Sequence, residues 1–440
     1  MKKLVTILFV SISCSLWAQN AFNMKEAVDY ALENNLNVKN QKLEYLVAKK
    51  QNLEVLSIGF PKINANADYT NFFELPVSLL PGEIFGAPGR FIPVKFGLPH
   101  NFKLNFEASQ MIFDGRYFVG VKATKDVLKL MDYQITKIEV DTRKSVSNAY
   151  VAALVAQESY RLVKSNESTL ERLLFETREL YKSGFAEELD VNRLELALAN
   201  LQTTIKDIEN KVKNSKEALK YQMNIPVQQE ITLTENLDSL INGATPILDN
   251  TGFNPQNRIE YSMLNMQKTL LGYDTKQKHA GYYPGVYAFA SYSVNAQRSK
   301  FNFFNNEQWF RQGLWGVTMK VSIFDGLTRY ASVQQAKIKE LEANNTLENF
   351  NNGVRLENSV AENNYKSALQ ALEDQKKNLA LAKKINNKTK VMFKEGVGNS
   401  FAISQSDADM VTAQLNYIQA VYNLLTSKIA LDAAQGKLNN

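Results

Sequence analysis

The sequence predicts a mainly α-helical chain built as a tandem repeat, each copy running helix, β-hairpin, long helix, helix. Three observations carry this. The stretch MIFDGRY at residues 111–117 returns as SIFDGLTRY at 322–330, with Ile112 and Ile323 standing 211 positions apart. Four short segments alternate apolar and polar residues with period two, the mark of strands with one apolar and one wet face. Between them run long proline-free stretches with apolar residues at spacings of three and four, the mark of amphipathic helices.

The first copy opens on residues 22–57, where Ala27, Tyr30, Ala31, Leu36, Leu43, Leu46 and Val47 outline one amphipathic helix that Gly59 and Pro61 end. Alternation in KINANADYT and NFKLNFEASQMIF predicts strands at about 62–73 and 101–113, joined by a loop rich in Pro, Gly and Phe at about 75–99. Asp114-Gly115 then turns the chain, since Asp is a good helix N-cap and Gly a turn former. From 116 to 182 there is no proline and one glycine, Gly120. At about 1.5 Å per residue this helix would reach roughly 100 Å, far longer than a globular helix, which implies a coiled-coil-like assembly. Ser183-Gly184 breaks it, and a further helix covers about 187–223 before Pro226.

The second copy follows the same plan. A helix is expected at about 255–278, strands at about 285–295 and 314–324, and a second corner at Asp325-Gly326. A long helix then covers 327–394, a turn 395–399, and a last helix 401–438. Gly184 and Gly396 lie 212 positions apart, but Pro61 and Pro284 lie 223 apart. The first hairpin is therefore the longer, and such variation belongs in an exposed loop. The expected division is a signal peptide at 1–18, a first repeat at 19–240 with strands 62–73 and 101–113, a connector at 241–254 and a second repeat at 255–440 with strands 285–295 and 314–324.

The leader rests on basic Lys2 and Lys3, a short apolar run from Leu4 to Val10, and Ala18-Gln19 near a cleavage site. Cys14 is the one cysteine; as a lipid acceptor it lacks the usual preceding pattern, and if it leaves with the leader the mature chain has none, as suits an exported protein without disulfides. The net charge of +6 is too small and dispersed for nucleic acid. His100 and His279 are the only histidines and stand far apart, which argues against a Cys/His metal site, and Met263 and Met266 on one helix face read as core. No catalytic motif stands out: there is no GxSxG elbow, HExxH or Walker loop, so no enzyme, catalytic residue or cofactor is expected.

No later segment is apolar enough for a membrane helix, so a membrane role must use strands. Strands of about ten residues match a tilted bilayer crossing, and their alternation suits lipid on one side and water on the other. Open edges cannot sit in lipid, and four strands are too few for a pore, so closure needs partner chains whose number the periodicity leaves open. A soluble periplasmic coiled-coil protein with two hairpins is the other reading; it would expose Phe102, Leu104, Phe106, Trp315, Val317, Met319 and Val321 to water.

Taken with FKEGVGNS at the second helical turn and AQLNYIQAVYNLLTSKIALDAAQGKL near the end, the duplicated IFDG corner resembles the TolC-type outer-membrane efflux proteins. The resemblance covers nearly the whole chain after the leader. It implies a homotrimer with a 12-stranded outer-membrane β-barrel continued by a periplasmic α-helical barrel. It also implies the exit duct of a tripartite efflux or type I secretion system, served by a periplasmic adaptor and an inner-membrane RND or ABC transporter. A metal-efflux channel is a variant of this reading. The corners Asp114, Gly115, Asp325 and Gly326 become architectural, and Asp68, Lys103, Glu107 and Lys320 line the barrel lumen. The adaptor would meet Gly184, Phe185, Ala186, Gly396, Val397, Gly398, Asn399 and Ser400. The family's acidic aperture finds one match, Asp190. The matching positions of the second repeat are Ala402 and Gln405, so an acid ring gives way to a polar constriction at Gln405.

Overall fold

The computed structural model describes residues 20–86, 88–244 and 253–439. The expected leader, with Cys14, and most of the connector lie outside the described residues. In chain order the elements are β1 (Asn20–Phe22), α1 (Met24–Asn34), α2 (Leu36–Ser57), β2 (Lys62–Asn71), β3 (Val77–Pro81), β4 (Phe91–Lys95), β5 (His100–Phe113), α3 (Gly115–Lys182), α4 (Glu188–Met223), β6 (Ile231–Leu233), α5 (Leu237–Ala244), α6 (Ile259–Ala280), β7 (Gly285–Arg298), β8 (Phe310–Lys320), α7 (Thr328–Lys394) and α8 (Ser400–Ala434). The chain forms two compact units: a helical one from residues up to 44, 132–263 and 347 onward, and one of 45–131 and 264–346 that holds the main sheet.

The helical unit buries the apolar stripes of its long helices. One cluster joins Val146, Tyr150 and Leu154 of α3 to Leu219 and Met223 of α4, Tyr365 of α7, and Val421 and Leu424 of α8. A second joins Leu170, Leu173 and Leu174 of α3 to Leu194, Leu201 and Ile205 of α4 and Ile403 of α8. The three-and-four spacing puts each set on one helix face. Beside the first cluster, β1 pairs in parallel with β6, with Phe22 opposite Leu233. Two fully buried tyrosines anchor the chain there: Tyr150 Oη donates to Phe22 O at 2.9 Å, and Tyr365 Oη to Ala244 O at 2.7 Å.

Two helices differ from expectation in this unit. The opening stretch is two helices, broken at Asn35, whose extended backbone ends α1 while its Oδ1 accepts from Asn37 N. Its Nδ2 donates to Gln222 O at 2.8 Å, so a tertiary bond holds the break. The last helix stops at Ala434, not 438, because Gly436 takes φ +72° and lies against Asn257 O, where a Cβ would come within 2.6 Å.

The other unit holds one antiparallel sheet in the order β2-β5-β7-β8. The two hairpins are thus joined through β5 and β7, whose pairing runs from His100–Arg298 to Phe113–Val286 with a bulge at the Phe113 end. The last strand is Phe310–Lys320, four residues earlier than expected, so Val321 and Ile323 fall outside it. The expected loop at 75–99 contains its own hairpin, β3 with β4.

Candidate functional site: strand faces, corners and helical turns

Because paired residues share a face of a sheet, the register sorts the side chains. One row reads Ile63, Ala108, Ala290, Trp315; the next in phase reads Ala65, Phe106, Tyr292, Gly313. Val317 and Met319 lie on this apolar face too. The opposite face carries rows such as Asn66, Asn105, Ser293, Gln312. All four expected lumen residues lie there: Asp68 sits opposite Lys103, Glu107 opposite Asn64, and Lys320 opposite Gly285. Tyr287 and Phe310 are aromatics on the polar face, and so is Phe289. Its ring covers Gly316 on β8, where a Cβ would fall 2.9 Å from Cζ. Glycine therefore makes room for the ring, a pairing the sequence does not advertise.

The two corners share letters but not geometry. Asp114 is buried, and its carboxylate accepts from Arg116 N at 2.9 Å, Arg116 Nε at 3.0 Å, Arg116 Nη2 at 2.6 Å and Tyr287 Oη at 2.9 Å. The Arg116 side chain is the main cause that holds this carboxyl at about 2, with the Arg116 amide and the Tyr287 hydroxyl adding to it against the cost of burial. The helix begins at once, at Gly115, which packs against Ala280. At the second corner Gly326 (φ +63°) and Leu327 (φ +69°) are both left-handed, and α7 starts only at Thr328. Asp325 there accepts from Arg329 Nε at 2.5 Å, four residues on, and this bond lowers its pKa. The Arg329 guanidinium stacks 4.8 Å from the Tyr282 ring.

The helical turns do match each other. Gly184 (φ +79°) and Gly396 (φ +73°) take the left-handed conformation that ends a helix, and Phe185 N and Val397 N reach back to Leu180 O and Met392 O. Phe185 is 82% and Val397 73% exposed. Asn399 caps α8 by accepting from Ala402 N at 2.8 Å, and a Cβ at Gly398 would strike Phe393 N. Ser400 departs from its expected place at the surface: it is fully buried, and its hydroxyl bonds the Asp190 carboxylate. Asp190 also bonds Glu187 N at 3.2 Å, so it ties the two turns together. Ala402 and Gln405 share the exposed side of α8, where Gln405 donates to Asp409 at 2.9 Å.

Sequence reasoning missed three features here: the tyrosine anchors, the Phe289–Gly316 pair and the Asp190–Ser400 bond. Only the first left a signal. Tyr150 and Tyr365 both stand in the pattern Asn-x-Tyr-x-x-Ala-Leu, at 148–154 and 363–369.

Among the described residues no helix is long and apolar enough to cross a membrane, and no His/Cys/Asp/Glu group is placed to hold a metal. What remains is a sheet with a lipid-like face and a watery face, joined to long helices. Such a sheet is what a strand-built membrane channel with a helical extension requires of each protomer. Comparison with known proteins agrees. Residues 267–437 match the family model described as outer membrane efflux protein. The structure of CusC, studied for folding and transmembrane channel formation, aligns with a TM-score of 0.75 at 14% identity over 95% of this chain and 94% of that one. The Neisseria gonorrhoeae MtrE outer membrane channel aligns with 0.73 at 14% over 94% and 89%, and the Vibrio cholerae outer membrane protein VceC with 0.70 at 13% over 94% and 96%. No curated protein matches the chain in sequence. The TolC-type resemblance is thus shown in sequence over residues 267–437 and in fold over nearly all of the chain. The family and these neighbours are channels, not enzymes.

Proposed function

We propose that three copies of this chain form the exit duct of an efflux or type I secretion system. The observation that carries it is a single sheet that is apolar on one face, polar on the other and unpaired along β2 and β8. In hydrocarbon each unpaired backbone group costs several kcal/mol, so the edges must be closed. Pairing β8 of one copy with β2 of the next closes them in a ring, and three copies reach 12 strands. Asp68, Lys103, Glu107 and Lys320 would then face water. Gly184, Phe185, Ala186 and Gly396 to Asn399 form the candidate contact with a periplasmic adaptor, through which an RND or ABC transporter would deliver cargo. With Asp190 engaged by Ser400, the narrowest polar group in this reading is Gln405. The test is single-channel conductance of the purified protein in a planar bilayer, with chemical cross-linking to count subunits. A trimer with small, long-lived conductance supports the duct. A monomer without conductance sinks it and leaves the periplasmic coiled-coil protein.

A further inference from the structure

The apolar face of the sheet carries one exposed charge. Arg311, second residue of β8, lies opposite Val294 in the row Ala67, Leu104, Val294. The other arginine on this face, Arg298, is buried and paired with Glu307 at 3.0 Å. Among the described residues no carboxylate pairs with Arg311. A guanidinium pointed at a lipid-facing surface is costly unless it finds a partner.

The opposite edge of the sheet offers one. Near the end of β2, Tyr69 meets Phe301 edge-on at 5.4 Å, and its hydroxyl lies 2.8 Å from His100 Nδ1. Phe304 extends the cluster, 6.2 Å from Phe301, and is 92% exposed; Phe301 is 57% exposed. Aromatic faces left open in this way are partners for a guanidinium. The strand lengths say which one. β2 has ten residues and β8 eleven. Laid antiparallel with full overlap, they place Asn71 opposite Arg311, Tyr69 opposite Gly313 and Ile63 opposite Met319. This register keeps the apolar faces continuous, which a slip by one would not. Arg311 then becomes the diagonal neighbour of Tyr69, within reach of a long side chain.

We propose that Arg311 of one copy seats on the Tyr69–Phe301–Phe304 cluster of the next and so sets the register in which β8 pairs with β2 across the seam between copies. The inference rests on the ring closure proposed above. It gives the seam a specificity that backbone hydrogen bonds alone lack, because ladder bonds form equally well after a slip of two.

Disulfide formation in neutral detergent, without anionic lipid and with Cys14 replaced by Ser, tests it. Ala65→Cys with Val317→Cys reports the proposed register. Ala65→Cys with Trp315→Cys, or with Met319→Cys, reports slips of two either way. The expected result is a strong inter-copy bond for the first pair, and a shift of yield to the slipped pairs when Arg311→Ala or Phe301→Ala with Phe304→Ala is added. Arg311→Lys should retain part of the preference. Equal yields for the 65–317 pair with and without Arg311 overturn the proposal and leave the ring intact. No inter-copy bond from any pair means that the ring itself, and the register with it, is wrong. If Arg311 matters only in vesicles containing phosphatidylglycerol, its partner is an anionic headgroup and the cluster is not its seat.

Discussion

Replacing Asp114 by Asn should loosen the start of α3 by an amount the structure sets. The carboxyl titrates at about 2, against 3.8 when free, because Arg116 and Tyr287 bind its ionised form. A difference of about 1.8 units corresponds to about 2 kcal/mol of stability at neutral pH. A lowered folded-state pKa means this stability is present above the unfolded pKa and is lost as pH falls towards 2. By pH 3 it should have dropped to about 1 kcal/mol. Hydrogen exchange at residues 116–120 is the assay, since Arg116 N donates directly to Asp114. In Asp114→Asn, protection there should fall about 30-fold at pH 7 and by much less at pH 3. The matching change, Asp325→Asn, should cost less at 328–332, because Asp325 is more exposed and has one arginine partner and no tyrosine. Protection unchanged within about twofold in Asp114→Asn, or an equal loss at both corners, would refute the argument that burial and the Tyr287 bond separate them.

Further outcomes follow from the same contacts. Tyr150→Phe removes one of two donors to Phe22 O, which keeps Thr234 N at 3.1 Å, and Tyr365→Phe removes the buried hydroxyl donor to Ala244 O. Each should cost about 1–2 kcal/mol, read as a lower thermal midpoint of the helical circular dichroism signal, and the double change should cost about the sum. Gly316→Val drives a branched side chain into the Phe289 ring, so cross-linked oligomer should drop sharply, and Phe289→Ala in the same chain should restore it. Gly184→Ala forces a left-handed residue with a Cβ at a turn with open space around it, costing about 1 kcal/mol in stability. Gly436→Ala should cost more, because its Cβ also meets Asn257 O, and comparison of the two midpoints separates strain from collision.

Much of this protein was legible in its residues alone. Period-two alternation at 62–71 and 100–113 marks strands because a half-buried sheet must alternate, and a helix of 68 residues announces itself by lacking proline throughout and glycine beyond its first turns, at Gly115 and Gly120. The duplicated corner and turn glycines exposed the repeat, and the family resemblance followed from their order. Local chemistry sufficed there because backbone preference and hydrophobic period are properties of neighbouring residues. What needed the tertiary structure was every decision made between distant segments. The break at Asn35 is held by Gln222, 187 residues away, and the stop at Gly436 by Asn257. Identical Asp-Gly letters became a buried four-bond carboxylate at one corner and a looser left-handed turn at the other, because only Asp114 has Tyr287 across from it. Ser400, which the family resemblance offered as an adaptor contact, is buried on Asp190 for the same reason: its partner lies 210 residues earlier, where no spacing rule reaches.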